Sequence, residues 1–92
     1  MVNDFLDGLV GKIYKILPLK EEDNSYLSDY LDSLLIQLSG AFDMYPMLSK
    51  NDDYISIVNT VYYFSKNRFT QKQCKREVFR CIDIIEKLKV RC

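Results

Sequence analysis

The chain has 92 residues, 13 basic and 13 acidic side chains, and no histidine. A chain of this length is typical of one domain, and its 48% hydrophobic content indicates a folded protein rather than a disordered one. The lack of histidine excludes Cys–His and Ser–His nucleophile pairs and most zinc sites.

Residues 2–17 predict the first helix, because apolar residues recur there at intervals of three and four. Charged residues occupy the opposite face. Gly8 and Gly11 also fall on that polar face, where each weakens the helix by up to ~1 kcal/mol relative to alanine. Pro18 is predicted to end the helix, and residues 20–24 are predicted to form a polar turn.

A second helix of about eighteen residues is predicted to follow, with Asn24 or Ser25 as its cap. Its apolar stripe consists of Leu27, Leu31, Leu34, Leu38, Ala41 and Phe42. Pro46 interrupts the link that comes next, residues 43–51. The two methionines, the tyrosine and the leucine of this link suggest that it packs against the helices.

A third helix is predicted to begin at Asp52 or Asp53 and to extend to about Ser65. Its inner face consists of Tyr54, Ile57, Val58, Val61 and Phe64. The density of β-branched and aromatic residues also permits a strand. However, the apolar residues do not alternate cleanly and no partner strand is evident in the sequence, so we favour the helix.

The fourth predicted helix starts with a capping box, in which Thr70 and Gln73 each bond to the backbone N–H of the other. Its apolar stripe consists of Cys74, Val78, Cys81, Ile82, Ile85 and Leu88. Cys74 and Cys81 lie two turns apart, at roughly 10 Å, which is too far for a disulfide. We therefore expect both to be reduced core residues, and we assign no role to Cys92.

Four amphipathic helices with short links predict an all-α fold, an antiparallel four-helix bundle that occupies residues 1–92 as one domain. The first residues do not resemble a secretion signal, and no apolar run approaches the ~18–20 residues that span a bilayer. The odd number of cysteines fits a reducing compartment. We therefore expect a cytoplasmic protein.

The sequence offers no pattern that suggests catalysis. The acidic clusters at residues 21–23 and 52–53 stand at helix starts, where they complement the helix dipole. They lack the spacing of a calcium loop, and the three glycines do not form a phosphate-binding loop. We expect neither enzymatic activity nor a cofactor.

Charge is unevenly distributed along the chain. Residues 1–65 carry four basic and ten acidic side chains, whereas residues 66–92 carry nine basic and three acidic ones. The basic segment can meet nucleic acid, anionic lipid or an acidic protein surface, or it can be a solvated helix face. We do not favour nucleic acid, because the acidic remainder would oppose a polyanion. The candidate partner-binding residues are Arg68, Arg76, Phe79, Arg80, Lys87 and Arg91.

The segment from Tyr54 to Leu88 carries a resemblance to a known family. It contains the aromatic cluster Val61-Tyr62-Tyr63-Phe64, then the link Asn67-Arg68-Phe69-Thr70, and then a capped and charged helix. In these features it resembles the enterocin A/pediocin-like immunity proteins, which protect lactic acid bacteria from class IIa bacteriocins. The resemblance covers roughly the C-terminal two fifths of the chain, and residues 1–50 match only in helical pattern.

The resemblance implies a cytosolic antiparallel bundle without enzymatic activity, cofactor, small-molecule substrate or nucleic-acid partner. The family does not neutralise its toxin in solution. It engages, from the cytosolic side, the mannose phosphotransferase permease with the bacteriocin bound, and so blocks the pore. Any membrane association is through that partner, and we expect a monomer.

Specificity in the family lies in the C-terminal half and in the tail after the fourth helix. This chain ends at Cys92, close to the predicted end of that helix. We therefore expect discrimination between bacteriocins to depend on the joint between the third and fourth helices and on the surface of the fourth helix. The alternative is a small helical protein–protein interaction adaptor of phage or regulatory origin. A neighbouring gene for a bacteriocin precursor with a double-glycine leader would favour immunity.

Overall fold

The computed structural model describes residues 2–91, apart from the side chains of residues 90 and 91. In that range the regular structure is entirely helical, with five α-helices and one short 3-10 helix. In chain order they are α1 (Val2–Tyr14), α2 (Ile16–Glu21), α3 (Leu27–Met44), the 3-10 helix (Pro46–Lys50), α4 (Asp52–Lys66) and α5 (Gln71–Arg91). The predicted all-α class is confirmed, and residues 54–64 are helical rather than extended.

The prediction that Pro18 ends the first helix is wrong. The helical path is interrupted at Lys15, between α1 and α2, and Pro18 lies in the first turn of α2. Because proline has no backbone N–H, Pro18 cannot donate to the carbonyl of Tyr14, four residues earlier. This missing bond explains the interruption one turn before Pro18. The first turn of a helix needs no such donor, so α2 continues through Pro18 to Glu21.

The end of α2 is formed by backbone geometry at Asp23. This residue has a φ of 52°, in the left-handed region that a non-glycine residue enters at a cost. The N–H of Asp23 donates to the carbonyl of Lys20 at 3.1 Å, and the N–H of Asn24 donates to that of Leu19 at 3.0 Å. These two bonds satisfy carbonyls that the helix leaves unpaired, so the chain reverses into α3.

The prediction that Asn24 or Ser25 caps α3 is wrong, because the residue before the helix is Tyr26 and no side chain caps it. The side chain of Asn24 instead accepts the N–H of Tyr26 at 2.8 Å in the turn just before α3. α4 begins at Asp52, as predicted, and its cap is the preceding residue, Asn51. The side chain of Asn51 accepts the N–H of Tyr54 at 3.0 Å and satisfies one of the unpaired donors of the first turn.

The core receives side chains from all five α-helices and from two of the links, through Leu48 and Phe69. α3 packs against α4, α5 packs against α1, α2 and α4, and α2 also contacts α3. Leu48, in the 3-10 helix, is fully buried, so the link 43–51 packs against the helices as predicted, although Met44 and Met47 are mostly exposed. The buried residues of the α-helices are Leu6, Leu9, Ile13, Ile16, Leu19, Leu31, Leu34, Leu38, Ala41, Tyr54, Ile57, Val61, Phe64, Cys74, Val78, Cys81, Ile85 and Leu88.

Replacement of a core leucine tests this arrangement. Leu34 is 2% exposed, so Leu34→Ala should lower the free energy of unfolding by about 2–5 kcal/mol through lost burial and the cavity left behind. Urea denaturation followed by circular dichroism measures the change. Ile36, on the same helix but 73% exposed, is the matched control, and Ile36→Ala should change stability by at most ~0.5 kcal/mol. Equal losses in the two variants would contradict the packing of α3.

Candidate partner-binding surface

The joint between α4 and α5 is held by aromatic packing. The rings of Phe64, near the end of α4, and Phe69, in the link, stack with centroids 4.3 Å apart and planes 27° apart. The ammonium group of Lys20, on α2, lies 4.7 Å from the centroid of Phe69. Both phenylalanines are buried. The link is therefore anchored to the core and to α2 rather than extended into solvent.

The predicted capping box at the start of α5 is confirmed. The backbone N–H of Gln73 donates to the hydroxyl of Thr70 at 3.0 Å, and the N–H of Thr70 donates to the side-chain carbonyl of Gln73 at 3.0 Å. The two bonds satisfy donors that would otherwise be unpaired at this helix end. The direction in which α5 leaves the joint is thereby fixed locally.

Four of the six candidate residues are exposed on the joint and on the outer face of α5. Arg68 is exposed in the link, Arg76 and Lys87 have side chains 67% and 63% exposed, and Phe79 is 51% exposed. The ammonium group of Lys87 lies 3.1 Å from the carboxylate of Asp83, four residues earlier. The side chain of Arg91 lies outside the described residues.

Arg80 differs from the other candidates because it connects α5 to α4. Its guanidinium donates to the hydroxyls of Ser56 at 3.0 Å and Thr60 at 2.5 Å, and to the carboxylate of Glu77 at 2.9 Å. Ser56 and Thr60 precede it by 24 and 20 residues. The expectation that Arg80 belongs to an outer stripe of charges is therefore wrong in part, because its side chain lies over the α4–α5 contact.

Phe79 has a neighbour that the sequence analysis did not identify. The ring of Tyr14, on α1, lies 6.4 Å from that of Phe79, at 69°, an edge-to-face arrangement. Tyr14 is itself 52% exposed. Tyr14 lies off the apolar stripe of α1, and this position in the sequence indicates an exposed ring. Its contact with Phe79 follows only from the packing of α1 against α5. The result is an exposed aromatic pair beside the basic residues of α5.

Two solvent-open grooves adjoin the joint. The first, of about 330 Å³, runs between α4 and α5. It is lined by Ser56, Asn59, Thr60, Tyr63, Phe64, Gln73, Arg76 and Glu77. The second, of about 380 Å³, lies between segments 24–31 and 64–69. Their walls combine amides, hydroxyls, aromatic rings and basic groups, a composition suited to contact with a protein or other charged surface.

The nucleophilic side chains are poorly placed for chemistry. Cys74 and Cys81 are buried and free, as predicted, and Cys92 lies outside the described residues. Burial raises the pKa of the Cys81 thiol to about 11 and raises that of Cys74 above its usual value. Since the thiolate is the reactive form, both thiols are inert near neutral pH. Within residues 2–91 no group of three or more Cys, Asp or Glu side chains could hold a metal ion.

The sequence matches no family model, and no curated protein or solved structure matches it either. In the part of the chain that the structure describes, none of the helices combines the length and the apolar character needed to cross a bilayer. The features that bear on function are therefore those of the α4–α5 joint and the surface of α5.

Arg80 should contribute to stability more than its exposed neighbours do. Arg80→Ala removes three hydrogen bonds across and beside the α4–α5 contact, and we expect a loss of about 1–2 kcal/mol, reduced by partial solvent screening. Lys87→Ala, which removes only an exposed pair on one helix, should cost at most ~0.5 kcal/mol. Denaturant unfolding of the two variants measures the difference. If Arg80→Ala were as stable as Lys87→Ala, the contact would have no structural role.

Stability should decrease in alkaline solution. The Cys81 thiol keeps its proton up to about pH 11 in the folded chain but loses it near pH 9 when exposed, so in this window the folded state binds more protons. Stability is therefore full below pH 9 and falls as the pH rises, by up to roughly 1 kcal/mol per pH unit. Thermal melts across this range measure the slope, and Cys81→Ala should reduce it. Burial also raises the pKa of Tyr54, which explains a residual slope. An unchanged slope in Cys81→Ala would contradict the assignment.

Proposed function

We propose that this chain is a bacteriocin immunity protein of the enterocin A/pediocin-like type. It protects its cell from a class IIa bacteriocin by binding the toxin–receptor complex, the mannose phosphotransferase permease, from the cytosolic side. It acts as a monomer in the cytoplasm, without catalysis, cofactor, small-molecule substrate or nucleic acid. Its helices are arranged as an antiparallel four-helix bundle, in which α1 and α2 together form the first, interrupted helix.

The observation that carries the proposal is the α4–α5 joint. The segment that resembles the family folds here as a helix with a terminal aromatic cluster, a short link and a capped helix. Phe69, from the Arg-Phe-Thr part of the link, is a buried anchor, while Arg68 beside it is exposed. The residues that give the resemblance thus separate into those that build the joint and those that remain open to a partner.

The exposed part of this joint suits an acidic or polar protein partner. Arg68 and Arg76 present charge to solvent, Phe79 and Tyr14 add apolar contact area, and the adjoining grooves can receive a segment of another chain. Aromatic and arginine side chains are enriched in protein interfaces. A protein that acts by binding needs no reactive side chain, which agrees with the inert thiols.

Expression of the protein inside a cell that is sensitive to class IIa bacteriocins should confer resistance to one or a few of them. Protein added outside the cell should give none, because the receptor is engaged from within. The killing assay should use a panel of class IIa bacteriocins together with an unrelated bacteriocin. Sensitivity to the whole panel, with the protein folded and expressed, would refute the immunity function and favour the adaptor alternative.

The role of the surface is tested with two matched double variants. Arg68→Glu/Arg76→Glu should abolish or strongly reduce protection by reversing charge at the interface. Lys12→Glu/Lys50→Glu makes the same charge change at exposed sites away from the joint and should protect fully. Melting curves establish that both variants fold. Full protection by the first variant would exclude a role of this surface in protection. Co-purification with the permease only in the presence of toxin tests the receptor mechanism separately.

A further inference from the structure

Charge is segregated in this protein beyond what the two halves of the sequence suggest. Residues 21–49 contain six acidic side chains and no basic one, and residues 54–76 contain five basic side chains and no acidic one. All eleven are exposed. The acidic set consists of Glu21, Glu22, Asp23, Asp29, Asp32 and Asp43, and the basic set of Lys66, Arg68, Lys72, Lys75 and Arg76.

The fold separates the carboxylates of α3 from the basic residues in the first half of α5. The joint residues Lys66 and Arg68, in contrast, line a groove with residues 24–31, close to the acidic end of α2 and the turn that follows it. α4 and α2 each pack against both α3 and α5, so they stand between the two charged helices. In the second half of α5 the charges are balanced, because Lys87 pairs with Asp83 and Lys89 contacts Asp7 and Glu86. α3 is therefore acidic and the first half of α5 is basic, with α2 and α4 between them.

An exposed aromatic pair lies within the basic face. On a helix with 3.6 residues per turn, Lys72, Lys75, Arg76 and Phe79 share one arc of about 100° opposite the core stripe. Phe79 therefore lies among the three basic residues, and Tyr14 contacts it from α1. We call these five residues the basic aromatic face.

The charges of this face are poorly compensated within the protein itself. Lys72 and Arg76 are like charges four residues apart, which is mildly destabilising, and both lie near the positive end of the helix dipole. Lys72 and Lys75 form no ion pair with any residue that the structure describes, and Arg76 has only Glu77, at 3.4 Å. An external anionic surface would relieve this repulsion.

We propose that the basic aromatic face docks on an anionic lipid bilayer, with α3 directed away from it. A bilayer is planar and larger than this 35 × 21 × 20 Å molecule, so it meets one face only, and its charge attracts that face while repelling the acidic side. Tyrosine and phenylalanine at one end of the contact match the interfacial zone between lipid head groups and acyl chains. The proposal goes beyond the immunity function and stands without it.

Vesicle binding provides the test. The full chain is sedimented with vesicles of phosphatidylcholine alone and with vesicles that also contain phosphatidylglycerol, at low and at high salt. We expect binding only to the anionic vesicles and its loss at high salt, because screened charges attract weakly. Equal binding to both kinds of vesicle, or binding to neither at low salt, would overturn the proposal.

Two double variants locate the contact. Lys72→Glu/Lys75→Glu should weaken the partition into anionic vesicles at least about 100-fold, since each charge near the surface contributes about fivefold. The new carboxylates fall near the start of α5, where acidic residues favour the helix, so the variant should fold, and melting curves check this. Lys12→Glu/Lys50→Glu makes the same change in net charge elsewhere and should bind within about fivefold of the unaltered protein. Equal loss of vesicle binding in both variants would mean that binding depends on net charge alone, and this would overturn the docking face.

Other occupants of the face give different results. Tighter, salt-dependent binding to a short DNA duplex than to the anionic vesicles would assign the face to nucleic acid. A second copy, pairing its acidic side with this basic face, would appear as a salt-sensitive increase in size on gel filtration without vesicles. Either result would overturn the lipid proposal. Because these measurements do not involve the bacteriocin, their failure leaves the immunity assay to be judged by itself.

Discussion

The burial of Tyr54 is the constraint on which much of the structure depends. This tyrosine is fully buried among Phe5 of α1 and Phe42 of α3, at ring distances of 6.4 and 5.6 Å. A buried hydroxyl without a partner is costly, so its position is limited to places where it can donate a hydrogen bond. Here it donates to the backbone carbonyl of Leu38 at 2.6 Å, and the cap residue Asn51 accepts its backbone N–H. Both ends of the residue are thus held, and with them the register of α4 against α3.

That register decides where the other end of α4 lies. Phe64 emerges ten residues after Tyr54 on the same face, and it stacks on Phe69 to turn the chain into α5. Arg80 then bonds to Ser56 and Thr60, one and two turns from the start of α4. These polar bonds cross a contact that is otherwise apolar, and they are directional where apolar packing is not. These bonds fix the position of the Arg80 side chain across the α4–α5 contact.

The same arrangement explains the outer surface. Since the core stripe of α5 is fixed by Cys74, Val78, Cys81, Ile85 and Leu88, Lys75, Arg76 and Lys87 between them are directed outward, whereas Arg80 bonds to α4. α3 presents only acidic and neutral residues to solvent, so the two faces differ in charge by construction. Such a molecule approaches a charged partner in one orientation, which speeds productive encounters and limits wrong ones. The proposed permease contact and the proposed bilayer contact both depend on this orientation.

The sequence by itself determined the features that depend on neighbours a few residues apart. The all-α class and most of the buried stripe follow from helical periodicity, and the Thr70–Gln73 cap follows from a three-residue spacing. The candidate residues Arg68, Arg76 and Lys87 were correctly placed outside the core, because exposure on a helix follows from the same periodicity.

Only the tertiary structure decided the features that depend on how helices rotate and pack against one another. It drew Arg80 into the α4–α5 contact, joined Tyr14 to Phe79, and placed Lys20 over Phe69, in each case between residues far apart in sequence. α2 also continues through Pro18, because a proline in the first turn of a helix loses no hydrogen bond. Periodicity assigns each residue to a face of its own helix, but the partner of that face depends on packing among all the helices, which no local pattern encodes.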